Sequence, residues 1–138
     1  MVLDAQDSEK NDCLSKISTI PIPLSLEIAK TVGVRESMFV GLVYLICREK
    51  ERNPSKYQYS RMNGAFWAWG TEKELAKLLG VNDKTISRIK KNLKNEELLL
   101  IEKPNLKYME PVCWYRIDRK TLKKKFPETF RAFYESGW

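Results

Sequence analysis

The most constraining feature of the sequence is a pair of short helices whose ends are written into the residues. Thr71-Glu72-Lys73-Glu74 has the form of a capping box, in which the threonine hydroxyl takes a free amide of the first turn and Glu74 reaches back to the cap. Leu75, Ala76, Leu78 and Leu79 carry the helix on, and Gly80 stands where a helix stops. Only Gly80-Val81-Asn82 is left for the turn. Asn82 suits an N-cap, and Asp83 suits the positive end of the helix that follows. Ile86, Ile89 and Leu93 then recur at helical spacing as one buried stripe. Two helices joined this tightly form a helix-turn-helix, with Ala76 small where they meet and Val81 filling the gap.

The opposite face of the second helix carries Lys84, Thr85, Ser87, Arg88, Lys91 and Lys94, with Asn92 at its margin and Lys90 between the faces. A β-rich run, Leu98 to Lys103, follows directly. Pro104 to Pro111 forms a loop with Asn105 and Lys107, and Val112 to Asp118 returns as a second strand. Alternation puts Cys113, Tyr115 and Ile117 on one face of that strand, Trp114 and Arg116 on the other. Upstream, Ala65-Phe66-Trp67-Ala68-Trp69, bounded by Gly64 and Gly70, predicts a third strand. The order helix, helix, hairpin is that of a winged helix, with the hairpin tip as the wing.

Arg35 to Arg52 predicts the longest helix of the domain. Phe39, Leu42, Val43 and Ile46 share one face, Met38 and Leu45 widen it, and Val40 and Tyr44 extend it round the circumference, as in a helix buried on most sides. Asn53-Pro54 ends it. A short helix is expected over Leu24 to Thr31, stopped near Gly33, after the extended Ile20-Pro21-Ile22-Pro23. Asn53 to Gly64, with Lys56, Tyr57, Tyr59 and Arg61, is expected to be an exposed connector. Residues 1–18 are expected to be a disordered polar tail. Residues 19–126 form the winged-helix domain and residues 127–138 a helical extension carrying Phe130, Phe133 and Tyr134. The fold class is therefore α+β and mostly helical, with a small three-stranded antiparallel sheet.

Charge and composition narrow the function. Among 138 residues, 25 Lys and Arg stand against 18 Asp and Glu, a net +7. The excess is uneven: residues 1–20 hold four acids and two bases, whereas residues 82–125 hold 13 bases and 6 acids. A basic half of this kind favours an anionic partner, most often nucleic acid. The chain has no histidine, which excludes Ser-His-Asp and Cys-His nucleophiles, a histidine base and histidine zinc sites. No phosphate-binding glycine loop is present. The expectation is no enzyme, no cofactor and no bound metal. Cys13, Cys47 and Cys113 lack CxxC spacing, which suits a reduced, cytoplasmic setting. No secretory signal and no membrane-spanning run is read.

The stretch Trp67 to Asp118 resembles winged helix-turn-helix domains of phage and plasmid replication proteins, among them replisome-organiser and plasmid replication-initiator N-terminal domains. The resemblance is carried by Trp67-Ala68-Trp69-Gly70-Thr71, by Leu79-Gly80-Val81-Asn82-Asp83-Lys84-Thr85-Ile86-Ser87-Arg88, by Leu93 to Leu99 and by Trp114-Tyr115-Arg116-Ile117-Asp118. With Arg35 to Arg52 as the preceding helix, it covers about 85 residues. Such domains often place glycine before the strand after the second helix. Here that residue is Glu97, and Asn95 is expected to take the left-handed conformation instead. Asp83, acidic at the start of the second helix, is another departure.

The resemblance implies sequence-specific binding of double-stranded DNA, in replication initiation or its regulation. A transcriptional regulator and a winged-helix protein-docking module are the alternatives, and a homodimer is left open. The residues expected at DNA are Asn82, Lys84, Thr85, Ser87, Arg88, Lys91 and Lys94 on the second helix, with Lys103, Lys107 and Arg116 on the hairpin. Lys120 to Lys125 form a further basic run whose contact with DNA is left open.

Overall fold

The computed structural model describes residues 2–104 and 112–138, with side chains from Ala5 onward. Its centre is α3 (Val34–Arg52), on which every residue from Phe39 to Cys47 is buried. A helix apolar all round needs cover on every side. Short α2 (Leu26–Thr31), α1 (Val2–Ile17), α5 (Asp83–Asn95), the sheet and α7 (Pro127–Glu135) supply it. At Gly41 the segment Ile22–Pro23 passes tightly against α3: a Cβ there would stand 2.3 Å from the Pro23 carbonyl oxygen. Gly33 serves α3 as its N-cap, while α2 ends one residue earlier at Val32.

The helix pair forms as its caps require. In α4 (Glu72–Leu79), Thr71 Oγ1 accepts from the Glu74 amide at 3.0 Å, and Glu74 Oε1 accepts from the Thr71 amide at 2.9 Å. Gly80 has φ 69°, and the Gly80 and Val81 amides close a Schellman turn on the Lys77 and Ala76 carbonyls. Helix α5 ends in the same motif, with the Glu97 and Leu98 amides on the Lys94 and Leu93 carbonyls. Here expectation and structure part. Asn95 stays helical, and Glu97 itself takes φ 61°. Five residues separate Leu93 of α5 from Leu99 of β4, and the reversal between them falls at position 97. The left-handed conformation costs a non-glycine residue about 1 kcal/mol. Glu97→Gly is therefore expected to raise stability by up to about 1 kcal/mol in urea denaturation, less the entropy that glycine adds to the unfolded chain.

Strands β4 (Leu99–Glu102) and β5 (Trp114–Ile117) form the hairpin, and β3 (Ala68–Trp69) pairs on the other side of β5, giving antiparallel order β3-β5-β4. The strand expected over residues 65–69 is two pieces. β2 (Ala65–Phe66) pairs instead with β1 (Arg61–Met62) in a separate two-stranded ribbon, which the Trp67 amide prolongs by bonding the Ser60 carbonyl before the chain passes on to β3. The alternation along β5 holds. Tyr115 and Ile117 enter the main core, while Trp114 joins Trp67 and Trp69 in a second apolar cluster. Trp69 and Trp114 are cross-strand partners and stack with ring centroids 5.8 Å apart.

Residues 1–18 are not a disordered tail. Val2–Ile17 is helical, and its Cys13 and Ile17 lie in the main core. The mean composition is polar, but two apolar residues at i, i+4 are enough for docking when polar residues of the same helix also find partners. The buried Glu9 carboxylate accepts from the Tyr59 amide at 3.0 Å and from the Ser60 hydroxyl, Lys10 pairs with Glu74 at 3.2 Å, and Lys16 with Glu49 at 2.9 Å. Nor is 53–64 merely an exposed connector. Tyr57 and Ser60 are fully buried, the latter in a single 3-10 turn (Gln58–Ser60). At the far end, α6 (Arg119–Lys125) and α7 close the structure. Phe133 stacks on Tyr44 with centroids 3.9 Å apart, so residues 127–138 share the core of the rest. The three cysteines are free thiols.

Beneath α1, Lys50 is 1% exposed and donates to the Trp67 carbonyl at 2.8 Å. Burial is the main cause that lowers its pKa from 10.5 to about 8, against the pull of Cys13, Cys47 and Glu9. Between these values the unfolded chain holds a proton that the native lysine has released, so stability rises with pH across that window. Compared with Lys50→Met, the native chain is expected to gain roughly 3 kcal/mol between pH 8 and 10.5 in denaturant titrations. Equal pH profiles for the two proteins would contradict this.

Candidate nucleic-acid interface

Helix α5 divides cleanly into two faces. Ile86, Ile89 and Leu93 are each 1% exposed or less, packed against the core. Lys84, Ser87, Arg88, Lys91 and Lys94 are exposed on the other side. Among the described residues, Lys84, Arg88, Lys91 and Lys94 have no carboxylate within ion-pair distance. They form a cationic ridge along about three turns of the helix, with Arg88 near its middle.

The other expected residues of the helix are occupied. Asn82 Oδ1 caps α5, accepting from the Thr85 amide at 2.9 Å and from the Thr85 hydroxyl at 3.0 Å. The Asn82 oxygen and the Thr85 hydroxyl proton are thereby committed to the helix start. Ser87 Oγ donates to Glu72 Oε2 at 2.7 Å. Asn92 lies at the edge of the ridge and donates to Glu36 Oε2 of α3 at 3.2 Å, fixing the roll of α5 against the core.

The hairpin contributes unequally. Lys103, exposed at the end of β4, lines a cleft of about 240 Å³ with Gly70, Thr71, Glu72, Cys113 and Tyr115. It therefore stands beside the α4 N-terminus, on the flank of α5. Lys107 and the rest of the loop tip lie outside the described residues. Arg116 does not join the ridge. Its Nη1 donates to the Phe66 carbonyl at 2.7 Å, and its guanidinium lies 5.8 Å from the Trp67 ring centre. It ties the two-stranded ribbon to the three-stranded sheet, on the strand face turned away from the Tyr115 side.

Two residues not singled out for the interface belong to its flank. Glu72, the first residue of α4, bonds Ser87 and also accepts from Lys90 Nζ at 3.0 Å. The Ser87 bond is the largest influence on Glu72; partial burial opposes it, Lys90 and Lys103 reinforce it, and the carboxyl is held below its ordinary value. Nothing in the sequence pairs residues 15 and 18 positions apart across a turn, although Lys90 at the boundary of the two faces was a signal that it would be held by something. On α6, Lys120, Lys123 and Lys124 are exposed, and Lys125 donates to the Glu96 carbonyl at 2.9 Å, tying α6 to the end of α5.

Compared with known families, curated proteins and solved structures, the chain matches none. No helix among the described residues is long and apolar enough to cross a membrane, and no group of three or more metal-ligating side chains is present among them.

The geometry separates Arg116 from the ridge residues in a measurable way. Arg116→Ala is expected to cost about 1–2 kcal/mol of stability, because the Phe66 carbonyl loses a charged donor and the Trp67 ring loses its cover. Urea denaturation of the variant beside the native chain checks this loss.

Proposed function

We propose that this chain is a winged helix-turn-helix protein that binds double-stranded DNA in a sequence-specific manner through α5, as a phage- or plasmid-type replication initiation or regulatory factor. One observation carries the reading: an amphipathic α5 clamped by Ile86, Ile89 and Leu93 presents Lys84, Arg88, Lys91 and Lys94 outward with no intramolecular counter-charge among the described residues. A helix of this width and chemistry fits the major groove. Lys84, Lys91 and Lys94, with Lys103 at the flank, supply the attraction to phosphate, which depends on salt. Arg88 is the side chain suited to a bidentate contact with guanine. The replication role rests on the resemblance of residues 67–118 alone; a transcriptional regulator would use the same helix in the same way.

Selection of bound duplexes from a random pool, followed by anisotropy titration at several salt concentrations, tests the proposal. Arg88→Ala is expected to lose roughly 1–3 kcal/mol on the selected site and to relax preference at one base pair. Lys91→Gln is expected to weaken all duplexes alike and to reduce the salt slope by about 0.9. Unchanged affinity and preference in Arg88→Ala would sink the assignment.

A groove of about 410 Å³ between the Ile20–Glu27 segment, α3 and α7 favours protein docking as a second reading. Leu24 and Leu26 stand at its rim, 46% and 65% exposed. Late, steeply salt-dependent elution from a heparin column would favour the DNA reading over this one.

A further inference from the structure

Three groups of the kind that bind phosphate converge beside α5: the Ser87 hydroxyl, the Lys90 ammonium and, in the adjoining cleft, Lys103. The first turn of α4 borders that cleft through Thr71 and Glu72. An anion already sits among these groups. Glu72 gives Oε2 to Ser87 at 2.7 Å and Oε1 to Lys90 at 3.0 Å, so both carboxylate oxygens are used. The Lys90 side chain is 12% exposed, whereas that of Glu72 is 40% exposed on the outer side of the pair. A duplex lying against the α5 ridge brings its backbone to this flank, and the first group it meets there is a carboxylate of its own sign.

We infer that Glu72 is a built-in competitor of DNA phosphate: it holds Ser87 and Lys90 in the free protein, and a backbone phosphate gains them only by displacing it. This rests on the reading of α5 as the DNA-facing helix. The device lowers affinity for every duplex by a similar factor, because phosphate carries no sequence. The ratio of affinities between two duplexes, which base contacts such as those of Arg88 set, is left unchanged by a penalty common to both. Glu72 thus sets the overall strength of binding and its salt dependence, not its sequence preference. It is a restraining residue, the reverse of the lysines around it.

The test compares the native chain with Glu72→Gln, Lys90→Met and the double variant on a mixed-sequence duplex, by anisotropy over a series of potassium chloride concentrations. Glutamine keeps the size of the side chain and an acceptor for Ser87 while removing the charge. Glu72→Gln is expected to bind roughly five- to tenfold more tightly near physiological salt and to steepen the salt slope by about 0.9, the yield of one added phosphate contact. In the Lys90→Met background the same change is expected to give little or no gain, a coupling that a general loss of negative charge would not produce. Weaker binding by Glu72→Gln, or an equal gain with and without Lys90, would overturn the inference and leave the α5 reading standing. Failure of the native chain to bind duplex at low salt would bring down both. Thermal melts identify a variant that has lost its fold, and Glu72→Ala then serves as the second removal of charge.

Discussion

The structure depends on covering one helix. From Phe39 to Cys47, α3 has no residue that water reaches freely, and no single neighbour can cover a full circumference. The sheet presents Tyr115, whose ring meets Phe39 edge-on at 5.5 Å. Helix α5 is held to the α3 N-terminus through Asn92 and Glu36, α7 lays Phe133 flat on Tyr44, and α1 covers a further side with Cys13 and Ile17. What α5 can do follows from this. Its apolar stripe is spent on α3, so its remaining surface is fixed in direction as well as in charge.

Much of this was legible locally. Thr71, Glu74, Gly80 and Asn82 act within four residues of themselves, and their chemistry leaves few alternatives. The stripe Ile86, Ile89, Leu93 and the alternation Trp114, Tyr115, Arg116, Ile117 report the side that is buried without needing to know what buries it. Wherever the partner is remote, the sequence was silent. The acidic first segment reads as unfolded because the acceptor role of Glu9 is defined by an amide 50 residues away. Tyr57 looks like a loop tyrosine until α1 and Glu49 surround it. The left-handed reversal before β4 was expected at Asn95, because asparagine tolerates that conformation, but Asn95 stays in the helix and Glu97 adopts it.

The candidate interface was legible to a similar depth. The free cations of α5 are those its polar face shows. Asn82, Thr85, Ser87 and Arg116 carry side chains suited to DNA but are engaged within the protein, and a helical wheel cannot distinguish a free donor from an occupied one. Arg116 is the clearest case: its charge suggests phosphate, yet its work is to join two small sheets. The flank at Glu72 shows the same gap from the other side, since a residue chosen as a helix-start acid also governs two side chains of the next helix.

The hydrogen bond from the Tyr44 hydroxyl to the Phe133 carbonyl spans 89 positions of chain, and the Ser25–Thr129 contact spans 104. At 5–20 residues per second, a ribosome needs roughly 4–18 s to make the intervening polypeptide after Tyr44 has been added. Through that interval α3 has one greasy flank and no native partner for it. The nascent chain thus exposes this flank early and receives its cover late, and the final closure onto α7 follows the contacts made within the earlier residues.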